Sequence, residues 1–415
     1  MLRGNAIVGQ SGGPTAAINA TLAGVIRGAL DEISVGGAIC RLYGMKNGVD
    51  GLLREDIVEL DKLFSEDTAA LDRLTLTPAA ALGSCRKKLP AEGAGDETEI
   101  MGKLFAVLEK YDIRYFFYIG GNDSMDTVAK VSAYAKKVGY DMRVMGVPKT
   151  IDNDLKGTDH TPGFGSAAKY IAVTMQEILR DTAVYTVPAV TIVEIMGRDT
   201  GWLTAASALG RLVTGVEPDL VYLPERNFSY EEFYADLKAA LARHPNVVVA
   251  VSEGIHLADG PLVGEGTQSG AVDVFGHKYL AGTAKALESA VKAEIGCKVR
   301  SIELNLPQRC AGHLVSAQDI TESLEVGRNA VAAAATGVTR EMMTIRRVST
   351  APYAFEIGHE DISKIANQTK YVPDEFINER ANHVTDECLA YLLPLIQGER
   401  YPEYRDGLPC QWILN

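Results

Sequence analysis

The residues best suited to chemistry lie in one short run, residues 148–154, which reads Pro-Lys-Thr-Ile-Asp-Asn-Asp. The apolar residues Val144–Val147 just before it read as a buried strand, which the proline ends. Ligands of open α/β sheets bind at the carboxyl ends of such strands. Asp152 and Asp154 could take a proton from an attacking hydroxyl and help hold a metal, while Lys149 could neutralise charge on a phosphate in transfer. The alternative is a polar turn after a strand.

The elements around this run alternate short apolar stretches with helical ones, as in doubly wound parallel sheets. Strands are predicted in two series, Ala6–Val8, Tyr115–Ile119 and Val144–Val147, then Val190–Ile195, Leu220–Leu223 and Val247–Val251. Helices are predicted from Ala16 to Leu30 and from Ser124 to Val138. We therefore expect an α/β protein with two doubly wound, Rossmann-like α/β domains facing a cleft.

The sequence also predicts the structure of three further segments. The acidic, Ala-rich stretch from Asp61 to Asp72 reads as a surface loop. The Gly-rich stretch from Asp259 to Ser269 reads as a mobile excursion near the cleft. The stretch from Asp374 to Ile396 reads as one mostly amphipathic helix.

Composition limits the classes of function. The 415 residues suffice for two or more domains, and the net charge of −13 argues against a nucleic-acid partner. No apolar run approaches the roughly 18 residues of a membrane span, and the start leaves no room for a signal peptide. The six cysteines form no CxxC pair, which favours free thiols in a reducing cytoplasm. We therefore expect a cytoplasmic protein with no membrane partner.

A second candidate phosphate site is the pair Gly12-Gly13, between the first predicted strand and a helix. Small residues allow backbone N–H groups to approach a phosphate, and a helix N-terminus adds partial positive charge. The GxxxxGK[ST] and full GxGxxG patterns are absent, so a tight turn that simply needs glycine is the alternative.

Four motifs together resemble the 6-phosphofructokinase family. They are Ser11-Gly12-Gly13-Pro14, Gly120-Gly121-Asn122-Asp123-Ser124, Pro148–Asp154, and Met196-Gly197-Arg198-Asp199-Thr200-Gly201-Trp202. Lys149 and Asp123 stand where ATP-dependent members carry glycine, which points to the pyrophosphate-dependent branch. The resemblance implies reversible transfer of phosphate from pyrophosphate to the 1-hydroxyl of fructose 6-phosphate, with Mg²⁺ as cofactor. The alternatives are an ATP-dependent kinase of the family and a catalytically silent regulatory subunit.

The resemblance also implies a domain organisation. Residues 1–160, with roughly 305–350, would form the donor phosphate-binding domain, and residues 161–304 would form the sugar phosphate-binding domain. Residues 351–415 would form a mainly helical C-terminal extension packing on the domains or an interface.

The resemblance assigns the donor side and the chemistry residue by residue. The diphosphate-binding positions are Gly12, Gly13, Arg86, Asp123 and Lys149. The catalytic positions are Asp152 as the general base, Lys149 as the stabiliser of the transferring phosphoryl group, Arg198 as the bridge between the sugar and that phosphate, and Asp123, which obstructs the α-phosphate of ATP. Mg²⁺ would be held by Asp154 and Asn122, the latter standing where the family usually carries aspartate.

On the sugar side, the matching positions are Thr150, Asp152, Met196, Gly197, Arg198, Glu253, Arg300 and Arg309. Glu253 would hold sugar hydroxyls, and the two arginines Arg300 and Arg309 would clamp the 6-phosphate. Because one of these arginines crosses between subunits in the family, we expect a homodimer or higher homo-oligomer.

Overall fold

The structure, a computed structural model, describes residues 2–65, 67–265 and 282–414. Within them the strands are β1 (Gly4–Gln10), β2 (Ile39–Met45), β3 (Ile57–Glu59), β4 (Ile113–Gly120), β5 (Arg143–Pro148), β6 (Ala189–Ile195), β7 (Leu220–Tyr222), β8 (Asn246–Ser252), β9 (Lys298–Glu303), β10 (Glu341–Thr350), β11 (Tyr353–Asp361), β12 (Tyr404–Arg405) and β13 (Leu408–Pro409). The α-helices are α1 (Ile18–Ser34), α2 (Gly48–Leu52), α3 (Leu60–Phe64), α4 (Thr68–Thr75), α5 (Glu97–Lys110), α6 (Asn122–Val138), α7 (Phe164–Thr182), α8 (Trp202–Ala206), α9 (Gly210–Val213), α10 (Tyr230–Arg243), α11 (Thr283–Glu294), α12 (Pro307–Cys310), α13 (Ala317–Ala335) and α14 (Asp386–Leu392). Short 3-10 helices cover Gly312–Leu314, Ile362–Lys364, Asp374–Phe376 and Leu393–Ile396.

The chain divides into two compact units. Unit 1 comprises Met1–Ser166, Arg309–Thr369 and Gly398–Asn415, and unit 2 comprises Ala167–Gln308 and Lys370–Gln397, each within the described residues. The segment that follows residue 350 is therefore shared between the two units.

The described residues of unit 1 form a seven-stranded sheet in the order β11-β10-β5-β4-β1-β2-β3. The five inner strands run parallel, while β3 and β11 pair antiparallel at the two edges. The predicted strands β1, β4 and β5 are thus adjacent, and their carboxyl ends meet at one edge of the sheet.

Both faces of this sheet are buried, as the alternation of side chains along β1 and β4 shows. Val8 and Phe117 belong to one apolar cluster, which includes residues of α1 and α13. Ile7 and Phe116, one position earlier on each strand, belong to another, which includes residues of α5 and α6. Because successive strand residues point to opposite faces, helices cover the sheet on both sides. The prediction of a doubly wound α/β domain is confirmed here.

The helices α1 and α13 cross at a point where both carry glycine. A Cβ atom on Gly24 would lie 2.1 Å from the carbonyl oxygen of Leu324, and one on Gly327 would lie 2.2 Å from that of Thr21. These separations are far below van der Waals contact, so a larger residue at either position would force the helices apart. This crossing fixes the position of α1, the helix that follows the Gly12-Gly13 turn.

The described residues of unit 2 include a four-stranded parallel sheet in the order β7-β8-β6-β9. Apolar residues on β6 and β8, such as Ile192 and Val249, pack in one cluster with Phe233 of α10 and Leu287 of α11. The second predicted α/β domain is therefore confirmed, with the carboxyl ends of β6 and β8 side by side.

The prediction of a surface loop over Asp61–Asp72 was wrong, because α3 and α4 occupy most of that stretch. The carboxylate of Asp67 accepts a 2.8 Å hydrogen bond from the backbone N–H of Ala70 and so caps α4. Leu71 and Leu74 of this helix are buried in the core of unit 1. Of the acidic residues that suggested a loop, Asp67 is thus a helix cap and Asp61 is buried in α3.

The prediction of one helix over Asp374–Ile396 was also wrong. Ile377 and Val384 form an antiparallel bridge between a short 3-10 helix and α14. The Oδ1 atom of Asn378 accepts hydrogen bonds from the N–H groups of Asn382 and His383, which stabilises a turn where the helix was expected. Local side-chain bonds of asparagine therefore outweigh the amphipathic pattern.

The Gly-rich stretch from Asp259 to Ser269 is only partly described, since residues 266–269 lie outside the described ranges. Its first part turns back on itself, with an antiparallel bridge between His256 and Leu262. Across residues 2–65, 67–265 and 282–414, no helix combines the length and hydrophobicity required to cross a lipid bilayer.

Candidate active site

Three loops of unit 1 follow the adjacent strands β1, β4 and β5, and they carry most of the predicted donor-side residues. The Ser11-Gly12-Gly13 turn follows β1, residues 121–123 follow β4, and residues 149–154 follow β5. The backbone N–H of Lys149 donates to the carbonyl oxygen of Gly120 at 3.0 Å, which joins the second and third loops. The sheet order itself thus brings these distant segments together.

Lys149 is the most confined charged group among these loops, with only 2% of its surface exposed. Its Nζ donates a 2.6 Å hydrogen bond to the carbonyl oxygen of Gly13. Burial lowers the pKa of this ammonium to about 8, an effect opposed by the nearby carboxylates of Asp152 and Asp154 and reinforced by Arg309 and Arg86. A buried cation therefore lies directly beside the glycine turn.

The loop that carries Asp152 and Asp154 is fixed by its neighbours. Thr150 Oγ1 accepts a 3.1 Å hydrogen bond from the backbone N–H of Asp152 and donates to its carboxylate at 3.3 Å. Asn153, with φ of 53°, is fully buried between the two aspartates, which are themselves half-buried. This left-handed residue turns the loop so that the amide packs inside, while the two aspartates remain half-buried and the Oδ1 atom of Asp154 is buried.

The basic cluster around Arg86 contacts the glycine turn through the backbone. The carbonyl oxygen of Cys85 accepts hydrogen bonds from the Gly12 N–H at 3.0 Å and from the Ser11 hydroxyl at 3.1 Å. Arg86, the next residue, is exposed. The structure therefore brings Arg86 to the side of the predicted phosphate loop.

Arg309 lies on the donor side of the molecule, within unit 1. A Cβ atom on Gly13 would lie 3.5 Å from the Nη1 atom of this arginine. Burial and the positive charge of Arg86 lower the pKa of the Arg309 guanidinium, and Asp152 opposes that effect. Arg309 was predicted as half of a 6-phosphate clamp, and the structure sets it among the residues around Gly13.

The two residues at the start of α6 have different surroundings. The Oδ1 atom of Asn122 accepts a 2.6 Å hydrogen bond from the N–H of Asn367, and its Nδ2 donates to the carbonyl oxygen of Gln368 at 3.1 Å. The side chain of Asp123 is 41% exposed, and its Oδ1 lies 3.6 Å from the Nζ of Lys88. Asp123 is thus accessible from solvent, whereas both polar atoms of Asn122 are engaged with the backbone.

Two loops of unit 2 carry four of the eight predicted sugar-side residues. The backbone N–H of Gly197 donates to the Oε1 atom of Glu253 at 3.3 Å. Gly197 has φ of 144°, and a Cβ atom there would lie 2.3 Å from the carbonyl oxygen of Thr200. The N–H of Met196 donates to Gln308 at 3.0 Å, and Arg198 is half-buried one residue beyond the glycine. The predicted residues Met196, Gly197, Arg198 and Glu253 are therefore grouped at the carboxyl ends of β6 and β8.

Arg300 lies apart from this group within the same chain. It pairs with Thr191 on β6, four residues before that strand ends at Ile195, or about 13 Å along it. Its Nη1 atom is 4.0 Å from the Oδ2 atom of Asp181, and its side chain is 51% exposed. The structure thus does not bring Arg300 to the loop that holds Arg198.

Glu225 supports this region but was not among the predicted residues. Its carboxylate accepts hydrogen bonds from the N–H groups of Gly201, at 2.9 and 3.1 Å, and of Val372, at 3.0 Å. Burial raises the pKa of this carboxyl group. Its partners are distant in sequence, so no local pattern signals the contact.

The described residues contain no group of three or more His, Cys, Asp or Glu side chains arranged to hold a metal ion. The half-buried carboxylates of Asp152 and Asp154, beside Lys149, remain the acidic pair at the carboxyl end of β5. Such a pair fits Mg²⁺, which usually binds one or two protein carboxylates together with substrate phosphates.

Comparisons with known proteins agree with the resemblance seen in the motifs. A family model described as Phosphofructokinase matches residues 5–334. A protein of Halomonas elongata named pyrophosphate–fructose 6-phosphate 1-phosphotransferase is 40% identical over 412 residues, which cover 99% of this chain and 96% of that protein. A protein of the same name from Xanthomonas campestris is 42% identical over 412 residues, with coverage of 99% and 96%. The crystal structure of a pyrophosphate-dependent phosphofructokinase from Nitrosospira multiformis is similar with a TM-score of 0.86 and 38% identity, covering 98% of this chain and 95% of that one.

Proposed function

This chain belongs to the phosphofructokinase family, and we propose that it transfers phosphate reversibly between pyrophosphate and the 1-hydroxyl of fructose 6-phosphate. The products of the forward direction are fructose 1,6-bisphosphate and phosphate, so the reaction serves glycolysis and gluconeogenesis. The single observation that carries the proposal is the buried ammonium of Lys149, held beside the Gly12-Gly13 turn and the two aspartates. A fixed cation in this place is suited to the charge of a transferring phosphoryl group.

Asp152 acts as the general base in this proposal. Its half-buried carboxylate is oriented by the hydroxyl and backbone contacts with Thr150, and it takes the proton of the 1-hydroxyl as that oxygen attacks phosphorus. The ammonium of Lys149 neutralises charge on the phosphoryl oxygens in the transition state. Arg198 bridges the sugar and the transferring phosphate. The bond to the leaving phosphate then breaks, and phosphate departs.

The donor, pyrophosphate, binds at the Gly12-Gly13 turn with Arg86 and Lys149 as its cationic partners. Asp123 disfavours a nucleotide donor, because its accessible carboxylate at the start of α6 would repel the additional phosphate of ATP. This residue and Lys149 favour pyrophosphate over the alternative of an ATP-dependent kinase. The presence of Asp152, Lys149 and Arg198 together argues against a silent regulatory subunit.

Magnesium fits the acidic pair on the loop after β5 better than it fits Asn122. When bound, the ion would neutralise oxygens of pyrophosphate, with Asp154 as the protein carboxylate. Asn122 was predicted as a second ligand, but its carbonyl oxygen already accepts from Asn367 and its amide already donates to Gln368. We therefore assign the direct contact to Asp154 alone.

The sugar phosphate binds at the loops after β6 and β8, where Glu253, Met196 and Gly197 hold its hydroxyls and ring. We also assign Thr150 and Arg309 to binding of the sugar phosphate. Arg300 is exposed and distant from Arg198 along the sheet, so it would serve the 6-phosphate of a neighbouring copy. This assignment makes a homodimer, or a higher homo-oligomer, the form in which the site is complete. Both substrates are small cytoplasmic metabolites, and we propose that compartment for the protein.

The proposed function is tested by observing the phosphate-containing substrates and products directly. Purified protein with Mg²⁺, pyrophosphate and fructose 6-phosphate should yield fructose 1,6-bisphosphate and inorganic phosphate in ³¹P NMR spectra. Starting from the two products, it should yield pyrophosphate. Asp152→Asn is the matched control and should give neither conversion at the same enzyme concentration. Release of phosphate from pyrophosphate without a sugar product would contradict the proposal.

A further inference from the structure

The backbone passes from unit 1 to unit 2 between Thr369 and Lys370. The residues on each side of this passage, Asn367–Val372, are called the connector here. Side chains from two of the loops described above hold the connector at its two ends. This attachment is not required by the connectivity of the chain, which needs only a peptide bond between the units.

The unit 1 end of the connector is held by Asn122. The N–H of Asn367 donates to this side chain at 2.6 Å, and the carbonyl oxygen of Gln368 accepts from it at 3.1 Å. Thr369 then forms an antiparallel bridge with Leu155, the residue directly after Asp154. The connector is therefore attached both to the loop after β4 and to the loop after β5.

The contact at Asn122 explains why this position carries an amide. One side chain must accept a hydrogen bond from an N–H group and donate one to a carbonyl oxygen. Asparagine does both, whereas an ionised aspartate is an acceptor only and would face the carbonyl oxygen of Gln368 with a second negative oxygen. Aspartate, which the family usually carries here, would release half of the contact.

Trp202 and Glu225 hold the unit 2 end of the connector. Trp202 is the last residue of the Met196–Trp202 motif, and Glu225 supports that motif through Gly201. The indole Nε1 of Trp202 donates to the carbonyl oxygen of Lys370 at 3.0 Å. Glu225 accepts from the N–H of Val372 at 3.0 Å while it also accepts from Gly201. The Trp202 ring packs against Phe376, which lies shortly beyond the connector. The loop that carries Arg198 is thus fixed to the same six residues as Asn122.

We propose that the connector couples the donor loop to the sugar loop, and that Asn122 and Trp202 are its positioning residues. A shift of the loop after β4 is transmitted along Asn367–Val372 to the loop after β6, and the reverse also holds. The identity of the substrates that feel this coupling rests on the proposed function. The attachment itself does not.

The attachment is tested without substrate by hydrogen–deuterium exchange of the free protein. Asn122→Ala should raise the exchange rate of the Asn367 amide by about tenfold or more, because that N–H loses its acceptor. Asp126→Asn, on the same helix and paired with Lys130 rather than with the connector, is the matched control and should leave that amide unchanged. Unchanged exchange in Asn122→Ala would overturn the attachment, whether or not the protein uses pyrophosphate.

The coupling is tested by steady-state kinetics with Asn122→Asp, which keeps the size of the side chain. The proposal expects the Mg²⁺ concentration at half-saturation to stay the same while KM for fructose 6-phosphate rises about fivefold. A metal ligand at this position would give the opposite result, a lower Mg²⁺ requirement with KM for the sugar unchanged, and that result would overturn the proposal.

The reciprocal variant is Trp202→Phe, which removes the indole N–H and keeps an aromatic ring. It should raise KM for pyrophosphate, the substrate of the other unit. In the double variant, each KM should rise by less than the product of the factors measured in the two single variants, because either change already releases the connector. Multiplicative effects, each confined to the substrate of its own unit, would overturn the coupling. A protein inactive with pyrophosphate would contradict the proposed function instead, and the exchange experiment would still decide the attachment.

Discussion

The ammonium of Lys149 donates a 2.6 Å hydrogen bond to the carbonyl oxygen of Gly13, although the two residues are 136 positions apart in the chain. This contact joins the turn after β1 to the loop after β5. It orients a buried cation toward the place where small residues allow a phosphate to approach.

The first prediction concerns pH. Burial lowers the pKa of Lys149 to about 8, so the ammonium loses its proton above that pH. We expect kcat/KM for pyrophosphate to fall by about tenfold per pH unit above pH 8. Lys149→Arg keeps its charge in this range and should lack this descending limb, even if its overall activity is lower. The same limb in the arginine variant would assign it to another group.

The same pKa makes an opposite prediction for stability. The unfolded chain holds the lysine proton up to about pH 10.5, whereas the folded chain releases it near pH 8. Between these values the unfolded state binds more protons, so this residue makes the free energy of unfolding increase with pH. Chemical denaturation at pH 8 and pH 10, compared with Lys149→Met, isolates this contribution. If the free energies of unfolding of the unmutated protein and of Lys149→Met differ by the same amount at both pH values, the prediction is contradicted.

The third prediction uses the two glycines of the turn as a matched pair. Gly12 has φ of 76°, whereas Gly13 has no positive φ, although a Cβ atom would have similar room at both, 3.4 Å from the Nζ of Lys149 and 3.5 Å from the Nη1 of Arg309. Gly12→Ala should therefore cost roughly 1–2 kcal/mol of stability and lower kcat/KM for pyrophosphate. Gly13→Ala should cost less on both measures. Thermal unfolding and donor kinetics of the two variants provide the comparison, and equal losses would contradict it.

The fourth prediction concerns the base. Asp152→Asn should lower kcat by about 10²–10⁴, the usual range for loss of a positioned general base. Because asparagine has the same shape, both KM values should remain near those of the unmutated protein. A variant with near-normal kcat would show that another group takes the proton.

The fifth prediction concerns donor choice. Asp123→Gly removes the carboxylate from the start of α6 and should let weak use of ATP appear while use of pyrophosphate declines. Lys88→Ala is the control, because it removes the 3.6 Å partner of Asp123 and leaves the obstructing carboxylate in place. It should not gain activity with ATP. Initial rates with both donors distinguish the variants, and ATP use in the Lys88 variant alone would contradict the role of Asp123.

The parts of the site that sequence could predict are those that follow a strong strand. The apolar runs that became β1, β4 and β5 end at small or polar residues, and parallel strands bring such ends together by geometry alone. Lys149 was predicted in this way, and Gly12 was one of two readings of its turn, whereas Asn122, Gly197 and Glu253 were assigned through the family resemblance.

The remaining parts depend on contacts between distant and locally featureless segments. Glu225 lies on no motif, and its role is visible only where Gly201 and Val372 both donate to it. The turn at Asn378 was hidden because an amphipathic pattern does not reveal a side chain that bonds its own backbone. The position of Arg300, inside β9 rather than at its end, required the register of the sheet.

The central claim is that this chain uses pyrophosphate as its phosphoryl donor. The most direct test is kcat/KM of the unmutated protein for pyrophosphate and for ATP, measured with fructose 6-phosphate and Mg²⁺ in one buffer. The structure of the donor loops predicts a value for pyrophosphate at least about a hundredfold higher than that for ATP. A value for ATP equal to or above that for pyrophosphate would contradict the account.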